Sequence, residues 1–171
     1  MPSRLATGSA RDLVQAERDI RERIGDQHLD FAAMAAVSNI YRAANVVRNH
    51  MERKVLADED LSWAAFTVLF VLWIWGEQQT RHLAVEAGVT KGTLTGVLKT
   101  LEKRGLTKRQ AHDEDGRLVL VSLEPKGEAV IERLFPAFNA SETQVSGALS
   151  DREKNQLAGL LRKIVRSVEA D

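Results

Sequence analysis

A short stretch of this 171-residue chain, from Gly88 to Gln110, concentrates positive charge. It holds six basic residues and one acidic residue, Glu102, an excess of five positive charges, whereas the whole chain has 24 basic and 24 acidic residues and a net charge of zero. The basic residues are Lys91, Lys99, Lys103, Arg104, Lys108 and Arg109. A local positive field of this kind favours contact with phosphates, whatever the net charge of the chain. The alternative is a solvated cationic helix without a partner.

Other kinds of chemistry have few side chains to use. The chain has no Cys, which excludes disulfides, thiol nucleophiles and thiolate metal sites. Its four His residues are scattered. His82 and Glu86 have the i,i+4 spacing of a metal-binding pair, but no third ligand is evident, and a surface ion pair is the simpler explanation. Because the sequence has neither a nucleophile-elbow serine nor a glycine-rich phosphate loop, we expect no enzyme, no cofactor and no metal.

The composition indicates a globular protein, since 44% of the residues are apolar and 28% are charged, and the length predicts one domain, or one small domain with an extra arm. Residues 1–10 are polar and lack the apolar core of a secretory signal. The most apolar stretch, Trp63–Trp75, is 13 residues long and is interrupted by Thr67, whereas a membrane span needs about 20 apolar residues. We therefore expect a cytoplasmic protein without a membrane partner, whose first ten residues are mobile.

The basic stretch must be positioned by the rest of the chain, which is predicted to be mainly helical. Apolar residues three or four positions apart predict most of the helices. One amphipathic helix is expected over residues 11–23, and a longer one over residues 29–56 exceeds the needs of one small domain. Ser62 is placed to cap a helix over residues 63–75 that ends at Gly76. This helix should be the most buried element, because it is apolar nearly all round.

The basic stretch itself is predicted to be a helix-turn-helix followed by two strands. Thr80 and Thr90 are placed to cap helices over residues 81–87 and 91–104, with Gly88 in the turn between them. Two strands follow over residues 106–111 and 118–123, on either side of a turn over residues 112–117.

Two further helices close the chain. Pro125 introduces the first, which is expected to bend at Pro136 and to reach about Leu149. Ser150 and Glu153 form a capping box for the second. The apolar residues on one face of this last helix are Leu157, Leu160, Leu161, Ile164 and Val168. A small domain cannot cover so much apolar surface, so we expect a second copy of the chain to cover it, with packing inside a monomer as the alternative.

The stretch TRHLAVEAGVTKGTLTGVLKTLEKRGL, from Thr80 to Leu106, and the hairpin DGRLVLVSL, from Asp115 to Leu123, together resemble the MarR family of dimeric transcriptional regulators. The resemblance covers about residues 29–168 and implies a mainly α fold (α+β winged helix) with a two-stranded wing between N- and C-terminal dimerisation helices. The implied parts are an N-terminal arm with an extra amphipathic helix over residues 1–27, a helical dimerisation region over residues 28–57 and 125–171, and a winged helix-turn-helix DNA-binding domain over residues 58–124.

The recognition helix of this fold corresponds to residues 90–104, and its pattern suits the major groove of duplex DNA. The apolar stripe that packs it on the domain consists of Leu94, Val97, Leu98 and Leu101. Short Thr side chains and Gly92 let the opposite face approach base edges closely. The DNA-binding residues predicted in this region are Thr90, Lys91, Thr93, Thr95, Lys99 and Arg109. Thr93 and Thr95 should lie near base edges, whereas Lys99 and Arg109 should mainly contact phosphates.

The resemblance also implies that Arg117, at the tip of the wing, enters the minor groove and that Asp115 holds it in place. A guanidinium suits the negative potential of a narrow groove, although the two residues would also fit an ordinary surface ion pair. Two departures from the family are visible: Gly96 stands where many members have Arg, and Gly116 where a second wing Arg is common. Base recognition is therefore expected to depend more on Thr and Lys.

Most aromatic residues lie near the helix over residues 63–75, and such a cluster usually belongs to a core. In the resembling family, a cleft between dimerisation helices and winged helix admits small aromatic acids, so Tyr41 and Trp63 are candidates for its lining. We expect a homodimer that binds a palindromic operator in double-stranded DNA, regulates transcription, most often as a repressor, and is released by a small aromatic effector. The alternative is a winged-helix interaction module that docks a protein without direct DNA binding.

Overall fold

The computed structural model describes residues 10–25, 28–111 and 118–170. The chain separates into two compact units, residues 1–49 and 50–171. The mobility expected for the first ten residues lies outside the described part except at Ala10, and the turn predicted over residues 112–117 lies outside it entirely. None of the helices in the described ranges is both long and apolar enough to cross a membrane.

The first unit contains α1 (Ala10–Ile24) and most of α2 (Phe31–Met51). α1 confirms the predicted amphipathic helix, and Gly25 follows it in the left-handed conformation with a φ of 71°. α2 begins later than predicted because Asp30 precedes it as a cap, its carboxylate accepting a hydrogen bond from the Ala33 backbone N–H at 2.9 Å.

α1 is attached to the N-terminal part of α2 by two polar contacts. The Asn39 side-chain amide donates a hydrogen bond to the Glu17 carboxylate at 2.8 Å. The Arg21 guanidinium lies 4.9 Å from the centre of the Phe31 ring, within the range of a cation–π contact. A cavity of about 260 Å³ lies between the two helices.

The long helix predicted over residues 29–56 is a regular α-helix only as far as Met51. The chain continues through a π-helical turn, Glu52–Leu56, and a 3-10 turn, Ala57–Glu59. Asp60 then adopts the left-handed conformation with a φ of 49°, which ends the helical path.

The second unit contains the winged helix and the C-terminal helices. Its elements are α3 (Trp63–Trp75), β1 (Gln78–Gln79), α4 (Thr80–Glu86), α5 (Lys91–Lys103), β2 (Thr107–Ala111), β3 (Val119–Leu123), α6 (Pro125–Val145) and α7 (Asp151–Glu169). These bounds confirm the predicted helix-turn-helix, the two strands and the mainly helical fold class.

Two predictions for this unit are wrong in detail, and one strand was missed. Thr80 does not cap a helix but is the first residue of α4, and Gln79 precedes it without a side-chain cap. α6 ends at Val145 and not near Leu149, because Ser146 leaves the helical conformation with a ψ of 3° and the N–H groups of Gly147 and Leu149 bond to carbonyls three residues back, in turns. β1, which no pattern indicated, adds a third strand to the expected hairpin.

The sheet is antiparallel with the strand order β1-β3-β2. β2 and β3 pair in one register along their whole length, from Thr107 opposite Leu123 to Ala111 opposite Val119. β1 pairs with the other edge of β3, where Gln78 lies opposite Val121. The start of α4 is thereby connected to the wing hairpin through backbone hydrogen bonds.

α3 supplies the centre of the core, as its apolar sequence predicts. Its N-terminus is capped twice: Ser62 Oγ accepts a hydrogen bond from the Ala65 N–H at 3.2 Å, and the Glu52 carboxylate accepts one from the Trp63 N–H at 2.8 Å. Phe66 of α3 stacks on an aromatic ring of α6, Phe138, with ring centres 4.1 Å apart. The buried residues of α3 are Ala65, Phe66, Val68, Leu69, Val71 and Leu72.

α6 begins directly against the segment that follows α5. The Glu124 backbone N–H donates to the Leu106 carbonyl at 3.0 Å, and Lys126 Nζ donates to the Arg104 carbonyl at 3.0 Å. A Cβ at Gly127 would lie 2.9 Å from the carbonyl carbon of Leu106 and closer still to its oxygen. A side chain at this position would therefore overlap backbone atoms.

α7 has the predicted capping box, in which Ser150 Oγ accepts from the Glu153 N–H and the Glu153 carboxylate accepts from the Ser150 N–H. No residue of Asp151–Glu169 is buried. Exposed apolar side chains nevertheless follow one another along the helix: Leu157, Leu160, Leu161, Ile164, Val165 and Val168. These six residues form the α7 stripe.

Candidate nucleic-acid interface

α5 is held with one face inward and the other outward. Thr90 caps its N-terminus, accepting a hydrogen bond through Oγ1 from the Thr93 N–H at 3.1 Å. Leu94, Leu98 and Leu101 are at most 3% exposed and lie in the core, where α5 contacts α3. The orientation of the opposite face is therefore fixed by packing, as the apolar stripe predicts.

The outward face of α5 combines cations with small side chains. Its exposed residues include Lys91, Thr93, Thr95, Lys99 and Lys103. Gly92 and Gly96 lie among them, and a Cβ at Gly96 would meet no atom within 4 Å. No side chain projects from this face at the two glycines, so a partner surface can approach the helix backbone closely there.

The threonine hydroxyls of this face are partly engaged within the helix. Thr95 Oγ1 donates its hydrogen to the Lys91 carbonyl at 2.9 Å, so that toward a partner it can only accept. The hydroxyls of Thr90 and Thr93 lie 2.9 Å apart and share one hydrogen bond, which leaves one hydroxyl hydrogen of the pair free. In this conformation the face thus offers more acceptors than donors at its threonines.

Arg104 does not contribute to this outward face. Its guanidinium donates to the Asp60 carbonyl at 2.8 Å and to the Glu59 carbonyl at 2.7 Å. These carbonyls belong to the segment that ends the 3-10 turn, 44 and 45 residues away in sequence. One of the six cations counted in the sequence therefore holds the fold together, which residue spacing could not reveal.

Arg109 of β2 is paired with Glu102 of α5. Its Nε and Nη2 donate to the two carboxylate oxygens of Glu102, each at 2.6 Å, in a bidentate arrangement. The side chains of Arg109 and Glu102 are 37% and 25% exposed. The hydrogen bonds that Arg109 donates to Glu102 raise the pKa of its guanidinium above the usual value, against a smaller opposing effect of desolvation. Sequence reasoning missed Glu102, although its position as the one acid among six cations was a signal.

The residues on either side of Arg109 also contact carboxylates. Lys108 Nζ lies 3.5 Å from the Glu124 carboxylate, and the Gln110 side-chain amide donates to the Glu77 carboxylate at 2.9 Å. A cavity of about 360 Å³ opens between α5 and the strands. It is lined by Thr80, Lys91, Gly92, Leu94, Thr95, Leu98, Arg109 and Val119.

The two wing residues predicted to enter the minor groove, Asp115 and Arg117, lie outside the described residues, as does Gly116. The described chain stops at Ala111, the last residue of β2, and resumes at Leu118, just before β3. The roles of both residues stay predictions.

The two candidates for a ligand cleft belong to different units. Tyr41 is 68% exposed on α2 of the first unit. Trp63 belongs to the second unit and packs against Phe66 and Phe138, with ring centres 6.3 Å and 5.9 Å away. Their joint role stays a prediction.

His82 and Glu86, which have the spacing of a metal-binding pair, are both exposed on α4. Across the described ranges, no group of three or more His, Asp or Glu side chains is arranged to hold a metal ion.

Comparison with known proteins matches a model of the MarR family to residues 61–119. The chain is 38% identical over 138 residues to the uncharacterized HTH-type transcriptional regulator YwaE of Bacillus subtilis strain 168, a match that covers 81% of each protein. Among solved structures, the chain resembles Bordetella bronchiseptica BpsR, whose DNA binding is regulated by 6-hydroxynicotinic acid. That match has 26% identity and a TM-score of 0.71, and it covers 76% of this chain and 98% of BpsR.

A mutant of E. coli MarR, complexed with operator DNA, has the same fold. It is 23% identical, with a TM-score of 0.72 over 81% of this chain and 99% of its own. The family and the relatives matched are those of transcriptional regulators and not of enzymes.

Proposed function

The chain belongs to the MarR family of transcriptional regulators, and from that premise we propose that it is a cytoplasmic homodimer that represses transcription at a palindromic site in duplex DNA. The outward face of α5 is the observation that carries this proposal. This face is exposed and cationic, and its side chains are mostly small. The buried leucines on the opposite face of α5 fix its orientation. Such a face suits a recognition helix in the major groove.

We assign base contacts to Thr93 and Thr95 and phosphate contacts to Lys91 and Lys99. The two threonines lie in the N-terminal half of α5, the part of a recognition helix that reaches base edges. In the described part of the chain, neither lysine has a carboxylate within ion-pair distance, so both charges are available to phosphates. Thr90 serves this arrangement by capping the helix.

The wing completes the proposed interface. Arg117 would enter the minor groove beside the recognition helix, and Asp115 would orient its guanidinium. The support for these two roles is the family resemblance, together with the paired strands β2 and β3 on either side of that segment.

The α7 stripe supports the homodimer. Six exposed apolar side chains on one helix are costly in water, and a second copy of the same helix could cover them in a two-fold interface. A dimer of this kind would present two α5 helices, which is why we propose a palindromic site.

We propose a small aromatic acid as the effector that releases the DNA. The support is the similarity to BpsR and the exposed ring of Tyr41, with Trp63 as the second candidate. Thermal-shift measurements with 6-hydroxynicotinic acid and related aromatic acids test this part. Stabilisation together with release from DNA is the expected result. If none of these acids stabilises the protein, the effector assignment fails, whereas DNA binding is unaffected.

Gel-shift titration of the full-length protein tests the central proposal. The probes are the region upstream of its own gene, sheared genomic DNA, and a duplex enriched from a random library, each at several salt concentrations. We expect salt-sensitive binding to all three and much tighter binding to the enriched duplex. If no duplex is bound in a salt-sensitive manner, the chain is instead an interaction module that docks protein.

Thr95→Val sharpens the assignment of base contacts. Because the Thr95 hydroxyl can only accept from a partner, we expect it to face an amino group of adenine or cytosine in the major groove. The isosteric valine should lower affinity for the enriched site by about tenfold and leave binding to unrelated DNA unchanged. A matched substitution, Thr100→Val in the C-terminal half of α5, should alter neither. An equal loss on all sequences would contradict base contact by Thr95.

A further inference from the structure

We propose that Glu102 and Arg109 form a brace that holds the wing hairpin against the recognition helix, and that Arg109 supports DNA binding through this brace without contacting a phosphate. The proposal builds on the DNA-binding function proposed above. It replaces the phosphate role that the sequence suggests for Arg109, and it gives Glu102, for which no role was expected, a positioning role.

The geometry of the pair is the first argument. Two guanidinium nitrogens of Arg109 meet both oxygens of one carboxylate at 2.6 Å, which fixes the plane as well as the distance of the two groups. Two of the five N–H groups of the Arg109 guanidinium are therefore already bonded to a carboxylate. Here the Glu102 charge cancels that of Arg109 at short range and would repel a phosphate that approached the remaining N–H groups.

The position of the pair in the fold is the second argument. Glu102 lies in the last turn of α5, and Arg109 is the central residue of β2. β2 pairs with β3 over its whole length, so a link at Arg109 constrains both strands of the hairpin.

The neighbours of Arg109 give the third argument. Lys108 and Gln110 contact carboxylates at Glu124 and Glu77, which lie outside α5. Among these three consecutive side chains of β2, it is Arg109 that reaches the recognition helix.

The brace would act by preorganisation. α5 and the wing are proposed to contact the same duplex at the same time, so their relative position must match the spacing of the two grooves. A hairpin that moves relative to α5 must be ordered when DNA binds, which lowers affinity. The link between Glu102 and Arg109 would remove that cost in advance.

The uncharged variants Glu102→Gln and Arg109→Gln distinguish a brace from a phosphate clamp, in which Arg109 would contact a phosphate directly. The two models predict opposite changes in DNA affinity for Glu102→Gln. With a brace, both variants weaken binding to the enriched duplex, each by about tenfold, and the double variant is no weaker than either. With a phosphate clamp, Arg109→Gln weakens binding, whereas Glu102→Gln strengthens it because Arg109 is released and an acid is removed. A strengthened Glu102→Gln would therefore overturn the brace.

The salt dependence provides the second readout, which a general loss of structure would not reproduce. For Arg109→Gln the slope of log affinity against log salt should equal that of the unmodified protein, whereas loss of a phosphate contact would reduce it by about 0.9. A reduced slope also overturns the brace. Circular dichroism shows whether each variant is folded, and the charge-swapped double variant Glu102→Arg with Arg109→Glu should restore part of the affinity lost in Arg109→Glu.

Arg133→Gln is the matched control. Arg133 pairs with Glu59 at 2.7 Å in the same unit, between α6 and the 3-10 turn, and its removal subtracts one cation without touching β2 or α5. Its affinity should stay within about twofold of the unmodified protein. If the unmodified protein itself binds no duplex, the proposed function fails. If it binds and the Glu102 and Arg109 variants match the Arg133 control, only the brace fails.

Discussion

α5 and α7 are both amphipathic helices of the second unit, but they use their apolar faces in opposite ways. The leucines of α5 are at most 3% exposed, whereas Leu160 in the middle of the α7 stripe is 50% exposed. α5 is therefore oriented by its own chain, and the surface that it leaves free is polar. α7 leaves its apolar surface exposed, as expected for the homodimer interface proposed above. One chain thus orients its recognition helix by itself, whereas the exposed face of α7 is the surface that the proposed homodimer would cover.

Disruption of the α7 stripe should have the largest effect. The double variant Leu161→Asp with Ile164→Asp places two charges in the proposed two-fold interface, and we expect monomers in sedimentation velocity. Because a monomer contacts one half-site, its affinity for the enriched palindrome should fall by about a thousandfold. Arg166→Asp, on the opposite face of α7, should remain dimeric. A dimeric double variant would mean that α7 is not the dimer contact.

Truncation of the buried face of α5 comes next. Leu98 is 1% exposed, and Leu98→Ala should lower the free energy of unfolding by about 3 kcal/mol through lost burial and the cavity left behind. Denaturant titration measures the change. Leu160→Ala serves as the comparison, and its smaller effect should grow with protein concentration if a second copy covers the side chain. If both variants lose the same free energy of unfolding at every protein concentration, the proposed difference between a buried α5 face and an α7 face covered by a second copy is contradicted.

The polar face of α5 should respond to Lys99→Ala. We expect about a fivefold loss of affinity at moderate salt, similar for every sequence, and a decrease of about 0.9 in the salt slope. Lys154→Ala on α7, which removes a lysine paired with Asp151 at 3.2 Å, should change neither quantity. A loss confined to the enriched site would show that Lys99 reads bases.

The smallest effect is expected at the N-terminus of α7. Hydrogen bonds from the Ser150 hydroxyl and backbone N–H lower the pKa of Glu153 below its ordinary value of 4.5. The folded protein thus favours the carboxylate, and this stabilisation is present above pH 4.5 and is lost as the pH falls through the lowered pKa.

Ser150→Ala tests this cap. It should lower Tm by about 2 °C at neutral pH, and the difference should shrink below the pKa of Glu153. Thermal unfolding followed from pH 3 to pH 7 measures both changes. A difference between the two proteins that does not depend on pH would indicate that Glu153 takes no part in the cap.

The predictions from sequence succeeded where the cause is local. Ser62, Thr90 and Ser150 cap helices as expected. The side-chain oxygen of such a residue accepts a hydrogen bond from the backbone N–H three residues later, so the interaction depends on the local sequence. The pairing of β2 with β3 was also predictable, because the turn composition of residues 112–117 separates a short run over residues 106–111 from the apolar, β-branched run over residues 118–123.

Several other features could not be predicted because their cause lies elsewhere in the chain. β1 consists of two glutamines without any strand pattern and exists because β3 offers it an edge. Arg104 was counted among the six cations of the basic stretch, but its guanidinium donates to the Asp60 and Glu59 carbonyls of a distant turn. The sequence likewise indicated a positively charged segment, but it could not show that Arg109 forms an ion pair with Glu102.

The close approach of Gly127 to the Leu106 backbone affects how a mutational scan of this protein should be interpreted. Position 127 should tolerate no substitution, not even alanine, although it belongs to α6 and not to the proposed DNA contacts. Gly96, by contrast, faces open space within the proposed contact surface. A scan scored by repression alone would make position 127 look more important for DNA recognition than position 96. Scoring protein abundance in parallel would separate a residue required for folding from one that is free to change sequence preference.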